Sequence, residues 1–67
     1  MDITFTDHGT VLLARGVSEA GQAWLDERVD FQQFLGKQGV IEQWCAQPIV
    51  EAAQRAGMVI EVVRGEG

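Results

Sequence analysis

Apolar and polar residues alternate through Ile3-Thr4-Phe5-Thr6, the two-residue period of a strand with one buried face. Asp7-His8-Gly9 follows as a turn signal, and Thr10-Val11-Leu12-Leu13-Ala14 reads as the return strand of a β-hairpin. Arg15-Gly16-Val17 interrupts the strand, and Ser18 is placed to cap a helix whose first turn holds Glu19, where the helix dipole favours a negative charge. The spacing predicts a helix to about Val29. Its apolar side is expected to be Val17, Ala20, Trp24, Leu25 and Val29, with Glu19, Gln22, Asp26 and Asp30 opposite and Glu27 at the margin.

Phe31-Gln32-Gln33-Phe34-Leu35 reads as a short helical turn closed by Gly36, with Phe34 and Leu35 plugging one end of the core. Lys37-Gln38-Gly39 is expected as loop, and Val40-Ile41-Glu42-Gln43 is the weakest strand candidate of the chain. Cys45, Ile49, Ala52, Ala53 and Ala56 then form a helical stripe. Pro48 leaves two starts open: a helix beginning near Gln47, or a turn from Trp44 to Gln47 followed by a kink. The pattern favours a helix centred on Pro48–Ala56, ended by Gly57 with Met58 packing just beyond. Met58-Val59-Ile60-Glu61-Val62-Val63 is β-branched and apolar on nearly both faces, which predicts a central strand.

The element order ββαβαβ defines an α+β two-layer sandwich: a small mixed sheet with two helices on one face. One domain is expected over residues 1–64, with 65–67 as a frayed tail. Whichever sheet face meets the helices, apolar residues remain on the other: Leu12 and Ala14 oppose Val11 and Leu13, and Val59 and Val63 oppose Ile60 and Val62. That leftover face suggests a dimer or partner surface.

Composition enters as a set of exclusions. The chain of 67 residues is 46% hydrophobic and 22% charged, the profile of a folded globule rather than a disordered segment. Ten acidic against five basic residues give a net charge of −5, which argues against direct contact with a nucleic-acid backbone. Cys45 is the only cysteine, so an intramolecular disulfide and a cysteine-based zinc site are both out of reach, and a reducing cytoplasm is the expected compartment. Met1–Asp7 lacks the apolar core of a signal peptide, and no apolar run nears the ~20 residues of a membrane span.

Candidate chemistry is sparse. His8 is the only histidine and falls at a hairpin tip, where an exposed turn residue is the ordinary reading. Cys45 lies on the apolar stripe with Ile49 and Ala52, which predicts a buried small hydrophobe rather than a nucleophile. Gly36-Lys37-Gln38-Gly39 lacks the Gly-Lys-Ser/Thr ending and strand-loop-helix setting of a phosphate loop. No catalytic residue, metal or cofactor is therefore expected.

Glu19, Asp26, Glu27 and Asp30 are the informative charges, crowded on the outer side of one helix. Arg28 points toward the apolar side and does little to neutralise them. They read either as a solvated face that aids solubility or as an acidic ridge that meets a basic groove on another protein. Trp24 and Trp44 both read first as core or core-edge anchors, and Trp44, the less firmly placed, is the better candidate for a binding anchor.

The strand Gly9-Thr10-Val11-Leu12-Leu13, the capped segment Ser18-Glu19-Ala20-Gly21-Gln22-Ala23-Trp24-Leu25, the Ile41-Glu42 strand end and the Ala52-Ala53-Gln54-Arg55-Ala56-Gly57-Met58 close together resemble small uncharacterised proteins of proteobacterial phages, prophages and plasmids. Pro48 stands later than the proline that opens the last helix in that group. The resemblance spans roughly Gly9 to Val63 and rests on packing and capping residues. It implies a mobile-element origin, in the company of small acidic inhibitors of host defence such as anti-CRISPR proteins. The expected function is then non-catalytic inhibition of a host protein or ribonucleoprotein complex with a basic groove, without direct nucleic-acid or membrane contact. Glu19, Asp26, Glu27, Asp30 and Trp44 would carry it, with Glu51 and Glu61 in reserve. The alternative is an accessory module that forms a homodimer through its open sheet face.

Overall fold

A computed structural model describes residues 1–29, 31, 33–36 and 38–65. The alternation at the start of the chain becomes strand β1 (Ile3–Asp7), which turns through His8–Thr10 into β2 (Val11–Gly16). The two pair antiparallel from Ile3 opposite Gly16 to Asp7 opposite Leu12. Helix α1 (Glu19–Arg28) follows, then β3 (Phe34–Leu35), β4 (Gln38–Glu42), helix α2 (Gln43–Arg55) and β5 (Ile60–Arg64). The sheet order is β3-β4-β2-β1-β5, antiparallel except for the parallel β1/β5 pair.

The α+β two-layer sandwich is as the pattern implies. Ile3 and Phe5 of β1, Leu12 and Ala14 of β2 and Ile41 of β4 form one buried cluster with Leu25 of α1 and Ala46 and Ala53 of α2. Alternation therefore puts these even-numbered β2 residues under the helices and Val11, Leu13 and Arg15 on the open face.

Several elements differ from the sequence expectation, each for a physical reason. The Phe31–Leu35 segment holds the short strand β3 rather than a helical turn, because Phe34 and Leu35 pair with Gly39 and Gln38 at the edge of β4. The side chains of residues 34 and 35, expected to plug the core, lie outside the described set. The weak strand candidate is a full strand, β4, held between β2 and β3. Strand β5 is at the sheet edge instead of the centre, and its apolar character does not mean burial: Val62 is 57% exposed.

The helices are also turned from their expected faces. Val17 and Ala20 are exposed, and α1 buries Gly21 and Leu25, with Trp24 and Val29 packed at the core edge. Helix α2 begins at Gln43 and carries Pro48 inside it. The missing N–H of Pro48 frees only the Trp44 carbonyl, one helical turn back, while Ala46 anchors that first turn in the core. The core-facing stripe is Ala46, Ile49, Val50 and Ala53: Ile49 and Ala53 are as expected, whereas Cys45, Ala52 and Ala56 are exposed rather than buried. The close of α2 is as expected: Gly57 takes φ of 82°, its N–H donates to the Gln54 carbonyl at 3.0 Å, and that of Met58 donates to Ala53 at 3.1 Å.

Asp2 joins three elements at one end of the sheet. Its backbone N–H donates to the Val59 carbonyl at 2.7 Å, and its carbonyl accepts from the Val17 N–H at 2.7 Å. One carboxylate oxygen accepts from the Ser18 hydroxyl at 2.7 Å and the other from the Val59 N–H at 2.8 Å. Ser18 Oγ in turn accepts the Gly21 N–H at 3.0 Å and so caps α1 as its sequence position predicts. These bonds, led by that from Ser18, hold the Asp2 carboxyl below the usual carboxylate range. At the far end, Gly65, expected in the tail, donates its N–H to the Asp7 carbonyl at 2.7 Å. Residues 66–67 lie outside the described residues.

Two expected outcomes test this junction. A Cβ on Gly21 would overlap the Asp2 carbonyl oxygen, a backbone atom with no room to yield. Gly21→Ala is expected to destabilise the fold by about 2 kcal/mol or more in urea unfolding. An isolated helix would instead gain ~1 kcal/mol from the same change, so the sign of the measured effect decides. Because its folded-state pKa is lowered, the Asp2 carboxylate contributes its full stabilisation above the unfolded value of ~4, and loses it as pH falls through that value toward the lower folded one. The urea midpoints of wild type and Asp2→Asn, well separated at neutral pH, are expected to converge over that acid range.

Candidate protein-binding surface

Helix α1 lies with Leu25 inward, so residues on its far side meet solvent. Glu19 occupies the first turn, Asp26 stands two turns on along the same line, and Glu27 is beside it. All three are exposed. Gln22, between Glu19 and Asp26, donates from Nε2 to the Asp26 carboxylate at 2.9 Å. Among the described residues no cation pairs with any of the three carboxylates. Asp30, the fourth expected member, lies outside the described residues.

Arg28 is turned away from this line. It borders a groove of about 630 Å³ between the helices, where Trp24, Ile49, Ala52 and Met58 supply apolar walls and Arg55 stands as a second cation. The four-residue spacing of Trp24 and Arg28 is the sequence signal for this shared side.

Trp44 does not join the acidic line. It sits in the first turn of α2, after the end of β4 where Glu42 opposes Val11, whereas Glu19 follows the opposite end of β2 at Gly16. At 78% exposure it is the most open large apolar side chain described. Glu51 and Glu61 are exposed as well, Glu51 on α2 and Glu61 on β5. The expected surface is thus at least two separate features: a line of carboxylates on α1 and an open tryptophan at the other end of the strands.

The remaining chemistry-bearing residues do not converge. His8 is half-buried beside Gly65, where a Cβ would come within 2.7 Å of its ring, rather than free at a hairpin tip. Asp7 is occupied by structure: its Oδ1 accepts from the Gly9 N–H at 2.8 Å and from Gln43 Nε2 at 2.8 Å. Among the described residues no three His, Cys, Asp or Glu side chains stand together as a metal site. No helix among them is long and apolar enough to cross a membrane.

Comparison with protein-family models, with curated proteins and with solved structures gives no match to this chain. The surface itself is therefore the guide to function. Trp44→Ala is expected to change thermal stability by less than about 0.5 kcal/mol, since so exposed a ring contributes little to the core. A larger loss in a thermal melt would place Trp44 among the structural residues and remove it as a binding anchor.

Proposed function

We propose that this chain is a non-catalytic protein-binding inhibitor of phage or mobile-element origin, acting in the host cytoplasm on a protein or ribonucleoprotein complex with a basic groove. The observation that carries this reading is the line of exposed carboxylates on α1, Glu19, Asp26 and Glu27, which have no cation partner among the described residues, in a chain of net charge −5. A rigid helix presenting fixed negative charge competes for a cationic groove built to hold phosphates. Blocking of target recognition by a CRISPR surveillance complex is its most concrete form. Trp44 is a separate anchor, available to a partner that reaches across the helix layer.

The alternative, an accessory module pairing through its open sheet face, has a narrower basis. Leu13, at the centre of that face, is only 5% exposed, flanked in register by Thr6 and Val40.

The test is target-DNA binding by a purified CRISPR surveillance complex with this protein added. Inhibition is expected at low salt, weakening as salt rises. The combined Glu19→Gln, Asp26→Asn, Glu27→Gln variant is expected to weaken inhibition roughly tenfold or more while retaining the wild-type melt. Unhindered DNA binding overturns the anti-CRISPR form, and inhibition that survives the triple substitution overturns the α1 carboxylates as its carrier.

A further inference from the structure

The outer edge of β5 is a free edge of the sheet. The Ile3 N–H donates to the Val59 carbonyl and the Gly65 N–H to the Asp7 carbonyl, which sets the phase of the parallel β1/β5 ladder. Glu61 and Val63 therefore turn their backbone groups inward to β1, and Ile60, Val62 and Arg64 turn theirs outward. Apolar side chains are open along this edge, with Val59, Val62 and Val63 all exposed, next to the charged Glu61 and Arg64. Neither a proline nor a lysine guards the strand, the usual means of blunting a free edge.

We propose that the occupant of this edge is a second copy of the chain, paired antiparallel through β5 about a two-fold axis at Val62. The geometry of the strand carries the choice. With Val62 opposite its own copy, Ile60 falls opposite Arg64, and all the outward N–H and C=O groups of both strands find partners in six hydrogen bonds, a number that follows from three narrow pairs. Charge is compatible with the same register. Glu61 opposes Val63 and Arg64 opposes Ile60, so no like charges are directly opposite each other, the two Glu61 standing only diagonally across the seam. The two Val62 side chains meet on the helix side, where the helix layer leaves them uncovered. The other sheet edge is the two-residue β3, too short to receive β5 in a head-to-tail chain, so the pairing closes as a dimer. The product is one continuous sheet in which each copy contributes its strands in the order given above.

The measurement is light scattering over micromolar to millimolar concentration, with amide hydrogen exchange on the same samples. A dimer is expected, with protection at the Ile60, Val62 and Arg64 amides that grows with concentration, while those of Glu61 and Val63 are protected throughout. Val62→Lys puts two cations directly opposite each other and Val62→Pro removes the central donor. Both leave the inward ladder intact, and each is expected to weaken dimerisation roughly tenfold or more. A chain that stays monomeric over the whole range overturns the proposal. So does a dimer that persists in V62K with those three amides exchanging freely, which would assign the contact to another surface.

Discussion

The Asp2 junction is the constraint on which the arrangement depends. A short chain without a disulfide has few means of fixing the relative position of distant segments, and here one residue bonds to the turn before α1 and to Val59, just ahead of β5, together. Backbone and side chain act in concert: the carbonyl receives Val17, the carboxylate receives Ser18 and Val59. Gly21 completes it by letting the helix backbone come down onto the Asp2 carbonyl. The orientation of α1 follows, and with it which residues face water. The acidic line is outward because Gly21 and Leu25 must be inward.

The same geometry explains why the sheet is unevenly covered. Helix α1 packs chiefly over β2, and α2 reaches β4, β2 and the start of β5. The buried cluster is accordingly centred on β1, β2 and β4, and the end of β5 extends past the helix layer. A strand in which three of five residues are β-branched thus remains largely in solvent. Exposed acids gather on α1, while the most open apolar side chains include Trp44 and the valines at and before β5, where Glu61 and Arg64 are exposed as well.

What was legible in the sequence was local. The hairpin, the Ser18 cap, the Gly57 stop and the packing of Met58 each depend on residues a few positions apart, and each is found where the pattern puts it. Helix faces were less legible because two stripes fit α2 nearly equally. The expected Cys45-Ile49-Ala52-Ala53-Ala56 and the observed Ala46-Ile49-Val50-Ala53 share Ile49 and Ala53, and the bulk of Val50 was the signal favouring the second. Strand order was not legible at all. Apolar residues on both faces of β5 suit a central strand, yet its neighbour is set by Asp2, whose partners lie 16 and 57 residues away. Of the candidate surface, the exposure of Glu19, Asp26 and Glu27 was readable from helical period, while the separation of Trp44 from them required the topology.

The parallel pairing of β1 with β5 bears on the order in which the molecule assembles. The hairpin and α1 form from contacts close in sequence, but β1 receives its second neighbour only when a segment more than fifty residues downstream returns to it. Loop closure over that span is entropically slow relative to hairpin formation. Until it happens, β1 is itself a free edge, with Ile3 and Phe5 on a half-built core. During synthesis the chain therefore passes through a species whose N-terminal hairpin waits for its last strand, and the interval before that closure is when it is most open to pairing with the wrong partner.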